Sequence, residues 1–275
     1  MTIRMVFQSF VVSDFHIDKN ADNIKKLPVA NPDIPYCIIG GDICDPFSKG
    51  AIDFFEEAHN RYEKIIAIAG NHEYYNKHTM YEVKKQYKAL VEGGKGGIFL
   101  DDSSTIIDGV EIVGSTLWSD IPFQYKDTVF NSKHGYTYEI NQFLHKNSKS
   151  YLDEKLDTTY PEDVHSRVLL THYPVSKRFM TKAWETSPRA LKQPEGAHFR
   201  YFNDCSYMLP KVDVCIAGHT HFCAVFDAIY GKHKTVCIQN SVGHQHERSG
   251  FNNQRFISIE EGNSTVKSLS DGRWI

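Results

Sequence analysis

Five short apolar runs, each breaking at its carboxyl end into a cluster of Asp, His, Asn and Gly, set the strongest limit on how this chain can fold. The runs are Phe10–Val12, Tyr36–Ile39, Ile65–Ala69, Val168–Leu170 and Val214–Ala217. The clusters that follow are Ser-Asp-Phe-His, Gly-Gly-Asp, Gly-Asn-His-Glu, Thr-His and Gly-His-Thr-His. Short continuous apolar runs bounded by turn residues mark strands buried on both faces. Polar chemistry confined to their carboxyl ends points to an α/β sheet, where ligands gather beyond the strand ends.

Asp14, Asp42 and Asn71 stand 28 and 29 residues apart, about the length of one strand-helix-strand unit. Ala51, Ile52, Phe55, Ala58 and Tyr62 share a face behind a candidate N-cap at Ser48, and Thr79 with Glu82 forms a capping box ahead of Val83, Tyr87, Leu90 and Val91. Past Gly93–Gly97 the period becomes two, and Thr105–Ile107, Asp108-Gly109 and Val110–Gly114 read as a hairpin on a type I′ turn. Ile140, Phe143, Leu144, Tyr151, Leu152 and Leu156 mark a further amphipathic helix, and Val225–Ile229, Thr235–Ile238 and Phe256–Ile259 read as closing strands. The fold class predicted is α/β with two packed sheets. The Gly-Gly-Lys-Gly-Gly stretch at 93–97 lacks the spacing of a phosphate-binding loop and reads as a flexible connector.

With 275 residues, 41% of them hydrophobic, the chain can bury one large core, and no linker divides it. Residues 1–275 are therefore read as one domain. A net charge of -3 without Lys/Arg runs disfavours a nucleic-acid stripe or a membrane-surface helix. No stretch approaches the roughly 18 apolar residues of a membrane span. Gln8 and Ser9 interrupt the apolar start, which argues against a signal peptide. Six cysteines without a C-x-x-C pair read as free thiols in a reducing compartment, so a cytoplasmic location is predicted.

The strand-end residues Asp14, His16, Asp42, Asn71, His172, His219 and His221 comprise two carboxylates, one amide and four imidazoles, a ligand set for two metals. Alternate residues of an extended segment project to one side, so the D-x-H and H-x-H pairs can each grip from one direction. Only the carboxylates can bridge two ions. Mixed nitrogen and oxygen donors suit Mn, Fe, Zn, Ni or Co. Two divalent cations against two carboxylates leave a positive site, suited to a bridging hydroxide attacking a phosphate ester in line with its leaving oxygen. His72 need not be a ligand and can act as a catalytic imidazole, with Asp45 as a candidate partner.

In this order the clusters resemble the calcineurin-like metallophosphoesterase superfamily, whose pattern is D-x-H, G-D-x-x-D, G-N-H-[E/D], a lone H and G-H-x-H. Here they are Asp14-Phe15-His16, Gly41–Asp45, Gly70–Glu73, His172 and Gly218–His221. The resemblance implies two packed mixed β-sheets flanked by helices. It also implies one metal on Asp14, His16, Asp42 and His221, and a second on Asp42, Asn71, His172 and His219, with Asp42 as the bridge. His72 carries over as the catalytic imidazole and Asp45 as its partner. Pro46-Phe47 stands where phosphoprotein phosphatases have Arg-Gly, which argues against that branch. The patterns of purple acid phosphatases and lipid A pathway pyrophosphatases do not fit either. The cyclic-nucleotide phosphodiesterase-like branch and the repair exonucleases remain, and only 54 residues follow His221, little for an appended DNA-binding part. Val110–Trp118 also resembles a group of small predicted bacterial and phage phosphohydrolases.

The function predicted is hydrolysis of a phosphodiester in a small molecule or nucleotide. The alternatives are a phosphomonoesterase and a nuclease, and the full ligand set disfavours a non-catalytic scaffold. Lys177, Arg178, Lys182, Arg189, Lys192 and Arg200 outnumber Glu185 and Glu195 between 177 and 200, so a lid insertion at 173–204 is set against an ordinary solvated loop. Asn71, His72, Arg178 and Lys182 are the candidate substrate contacts. His244 and His246 form another H-x-H; a third metal or a substrate contact is set against a loop pair near the site, and the loop pair is preferred because each metal already has four ligands. Trp118 and Phe123 read as core in preference to a wall for a base.

Overall fold

Strand β1 (Phe7–Val12) explains the first sheet: Phe7 and Val11 enter one apolar cluster, Phe10 and Val12 another. The alternation of side chains sends apolar groups to both faces, which is why the sequence shows a run and no binary pattern. The computed structural model describes residues 6–129, 136–180, 192–261 and 263–269. Parallel to β1 lie β2 (Tyr36–Ile39), β3 (Lys64–Ala67) and β4 (Gly97–Phe99). On its other side β11 (Arg255–Glu260) and β12 (Asn263–Ser268) add antiparallel, giving the order β12-β11-β1-β2-β3-β4. The second sheet runs β5 (Ser103–Ile107), β6 (Val110–Ser115), β7 (Ser166–Thr171), β8 (Val214–Ala217), β10 (His233–Gln239) and β9 (Ala224–Tyr230). Its four central strands are parallel and its two edges antiparallel. Both sheets are mixed, as the resemblance implies.

The inner faces meet in a layer that includes Val11, Ile38, Ile66, Ile112, Val168, Leu170, Ile216 and Ile238, all at most 1% exposed. Each such side chain contributes about 1.5–3 kcal/mol on burial. Helices α1 (Lys49–Arg61) and α2 (Met80–Glu92) bury Phe54, Phe55, Val83 and Tyr87 in the cluster that takes Phe10 and Val12. Both caps fall where the sequence puts them: the Ser48 side chain accepts from Ala51 N, and Thr79 and Glu82 form a complete capping box. A short α3 (Lys126–Val129) precedes α4 (Tyr138–Leu156), whose Leu152 and Leu156 pack on the outer face of the second sheet. Asp108 and Gly109 have φ of 50° and 74°, as a type I′ turn requires.

Three expectations need correction. The glycine stretch at 93–97 is a packed turn: a Cβ on Gly94 would lie 2.3 Å from the His59 ring, one on Gly96 2.1 Å from Glu63 O, and one on Gly97 1.7 Å from Val91 O. Close backbone approach, with φ of 81° at Gly96, is what demands glycine there. The inner face of α4 is partly polar and Phe143 is 64% exposed. Asn141 Nδ2 donates to Ser119 O at 2.7 Å and His145 Nδ1 to Trp118 O at 2.5 Å, so helix α4 satisfies the loop after β6. Finally, the flanks of the predicted lid belong to the body, since Phe179 is fully buried and Asn203 N donates to Pro174 O at 2.8 Å. The remainder of that segment, with Lys182 and Arg189, lies outside the described residues.

One buried ion pair joins the second sheet to α4. Glu111 and Arg167 are register partners on β6 and β7, each 1% exposed, with Arg167 Nε 2.7 Å from Glu111 Oε2. Lys155 Nζ reaches the other oxygen at 2.6 Å.

Candidate metal centre

Where the parallel strands end, the backbone turns left-handed at the polar residues themselves. Asp14, His16, Asp42, His219 and His221 have φ of 58°, 44°, 56°, 68° and 57°. A non-glycine residue in that region costs about 1–3 kcal/mol and persists only where surrounding contacts over-determine it. Those contacts tie one strand end to the next. Asp14 N donates to Gly41 O at 3.0 Å, His16 N to Asp42 O at 3.1 Å, and Gly218 N to His172 O at 3.0 Å. Asp14 accepts from His219 N at 3.0 Å through Oδ1, and Asp42 Oδ1 from His72 N at 2.8 Å. Glu73, fully buried, accepts from Gly70 N, Asp42 N and Ile43 N at 2.7, 3.1 and 2.6 Å.

The seven predicted ligand residues meet at this edge. Asp14, His16, Asp42 and His221 present donor atoms within 4.8 Å of one another, as do Asp42, His172 and His219, and the two groups share Asp42. Asn71 Oδ1 lies 3.1 Å from His172 Nε2, which places the amide with the second group. His16 Nε2 and His221 Nε2 face each other at 2.8 Å. His16 Nδ1, Asp42 Oδ2 and His219 Nδ1 are buried without a hydrogen-bond partner. Buried polar atoms ordinarily find partners; of these three, Asp42 Oδ2 and His219 Nδ1 belong to residues of the second donor group and fit a cation there, whereas His16 turns its other nitrogen, Nε2, toward His221 and Asp42.

The far nitrogens are fixed as metal-binding imidazoles usually are, by an outer acceptor that sets the tautomer. His172 Nδ1 donates to Gly40 O at 2.8 Å, His219 Nε2 to Arg200 O at 2.7 Å and His221 Nδ1 to Glu247 Oε2 at 2.7 Å. Burial pushes His16 down to about 2 and His219 to about 3, so both rings are neutral near pH 7. Burial opposes charge on His172 as well, but the Asp42 carboxylate outweighs it and raises that ring to about 9. Burial also opposes the charge of Asp42, and His172 and His72 hold its carboxyl well below the usual range.

A cleft of about 310 Å³ opens over the centre, with Asp42, His72, His219 and His221 among its lining and Tyr201, Phe222, His244, Glu247 and Arg248 around them. The His72 ring lies 4.5 Å from that of His16 and 5.1 Å from Tyr75, and burial lowers its pKa. Asp45 makes no hydrogen bond to it. Its Oδ1 accepts from Phe47 N and Asn76 Nδ2, both at 3.1 Å, because the 45–48 turn aims it at the following loop. Arg178 is also elsewhere: its guanidinium stacks 4.2 Å from the Phe226 ring and donates to Asp227 O on β9. Trp118 is buried against Tyr74, Tyr136 and Tyr173, whereas Phe123 is 76% exposed, so the sequence reading of both as core holds for Trp118 alone.

Sequence reasoning passed over Glu247 and Arg248. The H-x-H at 244–246 was the available signal, since His244 faces His16 and His221 with ring separations of 4.5 and 4.7 Å while His246 is exposed. No helix among the described residues is long and apolar enough to cross a membrane.

Residues 9–223 match the family model described as calcineurin-like phosphoesterase. An uncharacterized protein of Acanthamoeba polyphaga mimivirus, L509, is 26% identical over 91% of this chain and 96% of its own length. The crystal structure of phosphopantetheinyl hydrolase from Mycobacterium tuberculosis superposes with a TM-score of 0.61 at 14% identity, covering 88% of this chain and 93% of that one. TT1561 of Thermus thermophilus superposes with a TM-score of 0.50 at 12% identity, covering 96% and 99%. The two structures speak to the fold alone; by the match over most of its length, the chain belongs to the calcineurin-like phosphoesterase family of metal-dependent phosphohydrolases.

Proposed function

We propose that this chain is a dinuclear phosphodiesterase acting on a small-molecule or nucleotide phosphate ester, with residues 1–275 as one catalytic unit. The observation that carries it is the pair of donor groups meeting at Asp42, whose buried Oδ2 has His172 Nε2 at 3.3 Å and His16 Nε2 at 3.9 Å. Asp14, His16, Asp42 and His221 would hold one divalent transition metal, and Asp42, Asn71, His172 and His219 the other. Two such ions supply Lewis acidity and an activated water. The protein's own part is to fix the donors on a strained backbone and keep their outer nitrogens bonded, so that little reorganisation is needed as charge develops.

His72 borders the cleft as a neutral imidazole at pH 7, in which form a ring N–H can donate to a phosphoryl or leaving-group oxygen. Asp45 is read as holding the following loop through Asn76 and Phe47. Arg248 offers a guanidinium at the mouth for an anionic substituent, and Tyr201 and Phe222 an aromatic wall for an organic one. Among the described lining residues Arg248 is the sole Arg or Lys, which suits a small ester better than a polymer needing a basic groove.

The test pairs Asp42→Asn with His72→Asn, measuring metal content and hydrolysis of bis(p-nitrophenyl) phosphate, p-nitrophenyl phosphate and a nucleotide panel. Asp42→Asn loses metal and turnover together. His72→Asn keeps its metal and loses about 10²–10⁴-fold in kcat. Two bound ions in Asp42→Asn, or wild-type turnover in His72→Asn, would refute the assignment, and a monoester preference would refute the diesterase reading.

A further inference from the structure

The family match ends at residue 223, yet the loop after β10 brings another imidazole to the centre. His16, His221 and His244 present ring nitrogens within 4.8 Å of one another, a spacing that can hold an ion. Two ligands of one ion bound at about 2.0–2.1 Å each stand at most some 4.2 Å apart, so the three rings need only small adjustment. In the other grouping His16 and His221 belong with Asp14 and Asp42. The ion that those two histidines share is therefore the one within reach of His244.

The loop is built to keep the ring there. Val242 N donates to Ser13 O and Gly243 N to Asp14 O, both at 3.0 Å, so the loop is stitched to the segment carrying the first two ligands. Gly243 takes a φ of 71° to make the turn. Glu247 then joins the two rings' supports through one oxygen, accepting from His221 Nδ1 at 2.7 Å and from the His244 backbone N–H at 2.8 Å. A carboxylate behind a metal-binding imidazole orients it; this one also sets the backbone of the neighbouring ring.

We infer that His244 is an additional nitrogen ligand of the ion shared by His16 and His221, giving that ion one more protein donor than its partner has. The inference rests on the dinuclear centre proposed above. Its consequence is unequal retention: the ion near His244 is held longer, and the open coordination positions lie toward the Asn71, His172 and His219 side.

The test loads the apo protein with Co²⁺ alone and follows stoichiometry, the visible absorption spectrum and the rate of loss to a chelator, with no turnover required. His244→Ala should alter the spectrum of one cobalt and speed its loss about 10–100-fold, while His246→Ala, altering an exposed ring, should do neither. An unchanged spectrum and loss rate in His244→Ala overturns the inference, as does an equal effect in His246→Ala. Should His244→Ala fail to fold, a crystal structure of the cobalt-loaded wild type decides. A His244 nitrogen at about 2.1 Å from the ion supports the inference and one beyond about 3.5 Å refutes it. Wild-type protein that takes up no cobalt would instead defeat the dinuclear reading itself.

Discussion

Gly70 precedes Asn71 and passes so close to the Asp42 carboxylate, the proposed bridge, that one methyl group should disable the centre. A Cβ there would lie 2.2 Å from Asp42 Oδ1, 2.7 Å from Asp42 N and 2.7 Å from His172 Cε1, whereas ordinary contact begins at 3.4 Å. The carboxylate or its strand end must therefore move by roughly 1.2 Å, and a misplacement of about 1 Å can cost about 10²-fold in rate. Overpacking of this kind costs about 1–3 kcal/mol, a melting shift of a few degrees to about 10 °C in a chain of this size. Gly218 supplies the control. A Cβ there would meet Asp14 Oδ2 at 3.1 Å, Gly40 O at 3.2 Å and His172 Nδ1 at 3.2 Å, needing only a few tenths of an ångström. Gly70→Ala should lower kcat/KM on bis(p-nitrophenyl) phosphate by about 10²-fold or more and reduce bound metal, while Gly218→Ala stays within about tenfold of the wild type. A Gly70→Ala protein with both ions and near-wild-type kcat/KM, or a Gly218→Ala protein hit harder, would show that the crowding around Asp42 does not govern the site.

Two further perturbations probe the scaffold. Arg167→Ala leaves Glu111 buried with Lys155 as its remaining ionic partner, and should cost about 3–5 kcal/mol in denaturant unfolding at matched metal content; a loss below about 1 kcal/mol would place the pair with surface ion pairs. Burial lowers the pKa of His145, against the milder pull of the Trp118 carbonyl and Asp120. The unfolded chain then binds the extra proton first, so this contribution is intact above about pH 6.5 and lost as pH falls through that value toward the folded pKa. His145→Gln should flatten the decline in unfolding midpoint between about pH 7 and pH 5, and an unaltered slope would assign the decline to other groups.

The strand-end clusters were legible because strand, turn and ligand are contiguous: Gly40–Asp42 closes β2 and delivers Asp42 in one step. Asp108-Gly109 was legible for a similar reason, since the turn's backbone demand falls on two adjacent residues. Glu247, Arg248 and the outcome for His244 were not, because their position depends on the Ser13↔Ser241 bridge between segments 228 residues apart. Strand β4 was missed because a three-residue edge strand carries too little pattern to register. Asn141 and His145 disguised the inner face of α4, since hydropathy cannot anticipate polar side chains satisfied by carbonyls of a distant loop. Basic charge near His172 suggested Arg178 as a contact, but charge alone does not set direction, and its guanidinium found Phe226.

Glu73 carries a consequence for how the site responds to disturbance. By accepting from the backbone at Gly70, Asp42 and Ile43, it ties the segments that follow β2 and β3 to one carboxylate. A displacement of either strand end is thereby passed to the other, which favours keeping the Asp42 carboxylate and the Asn71 amide at a constant separation. Losing the tie would leave each donor chemically intact but mechanically independent, so damage would emerge first as a broadened distribution of coordination geometries rather than as a missing ligand.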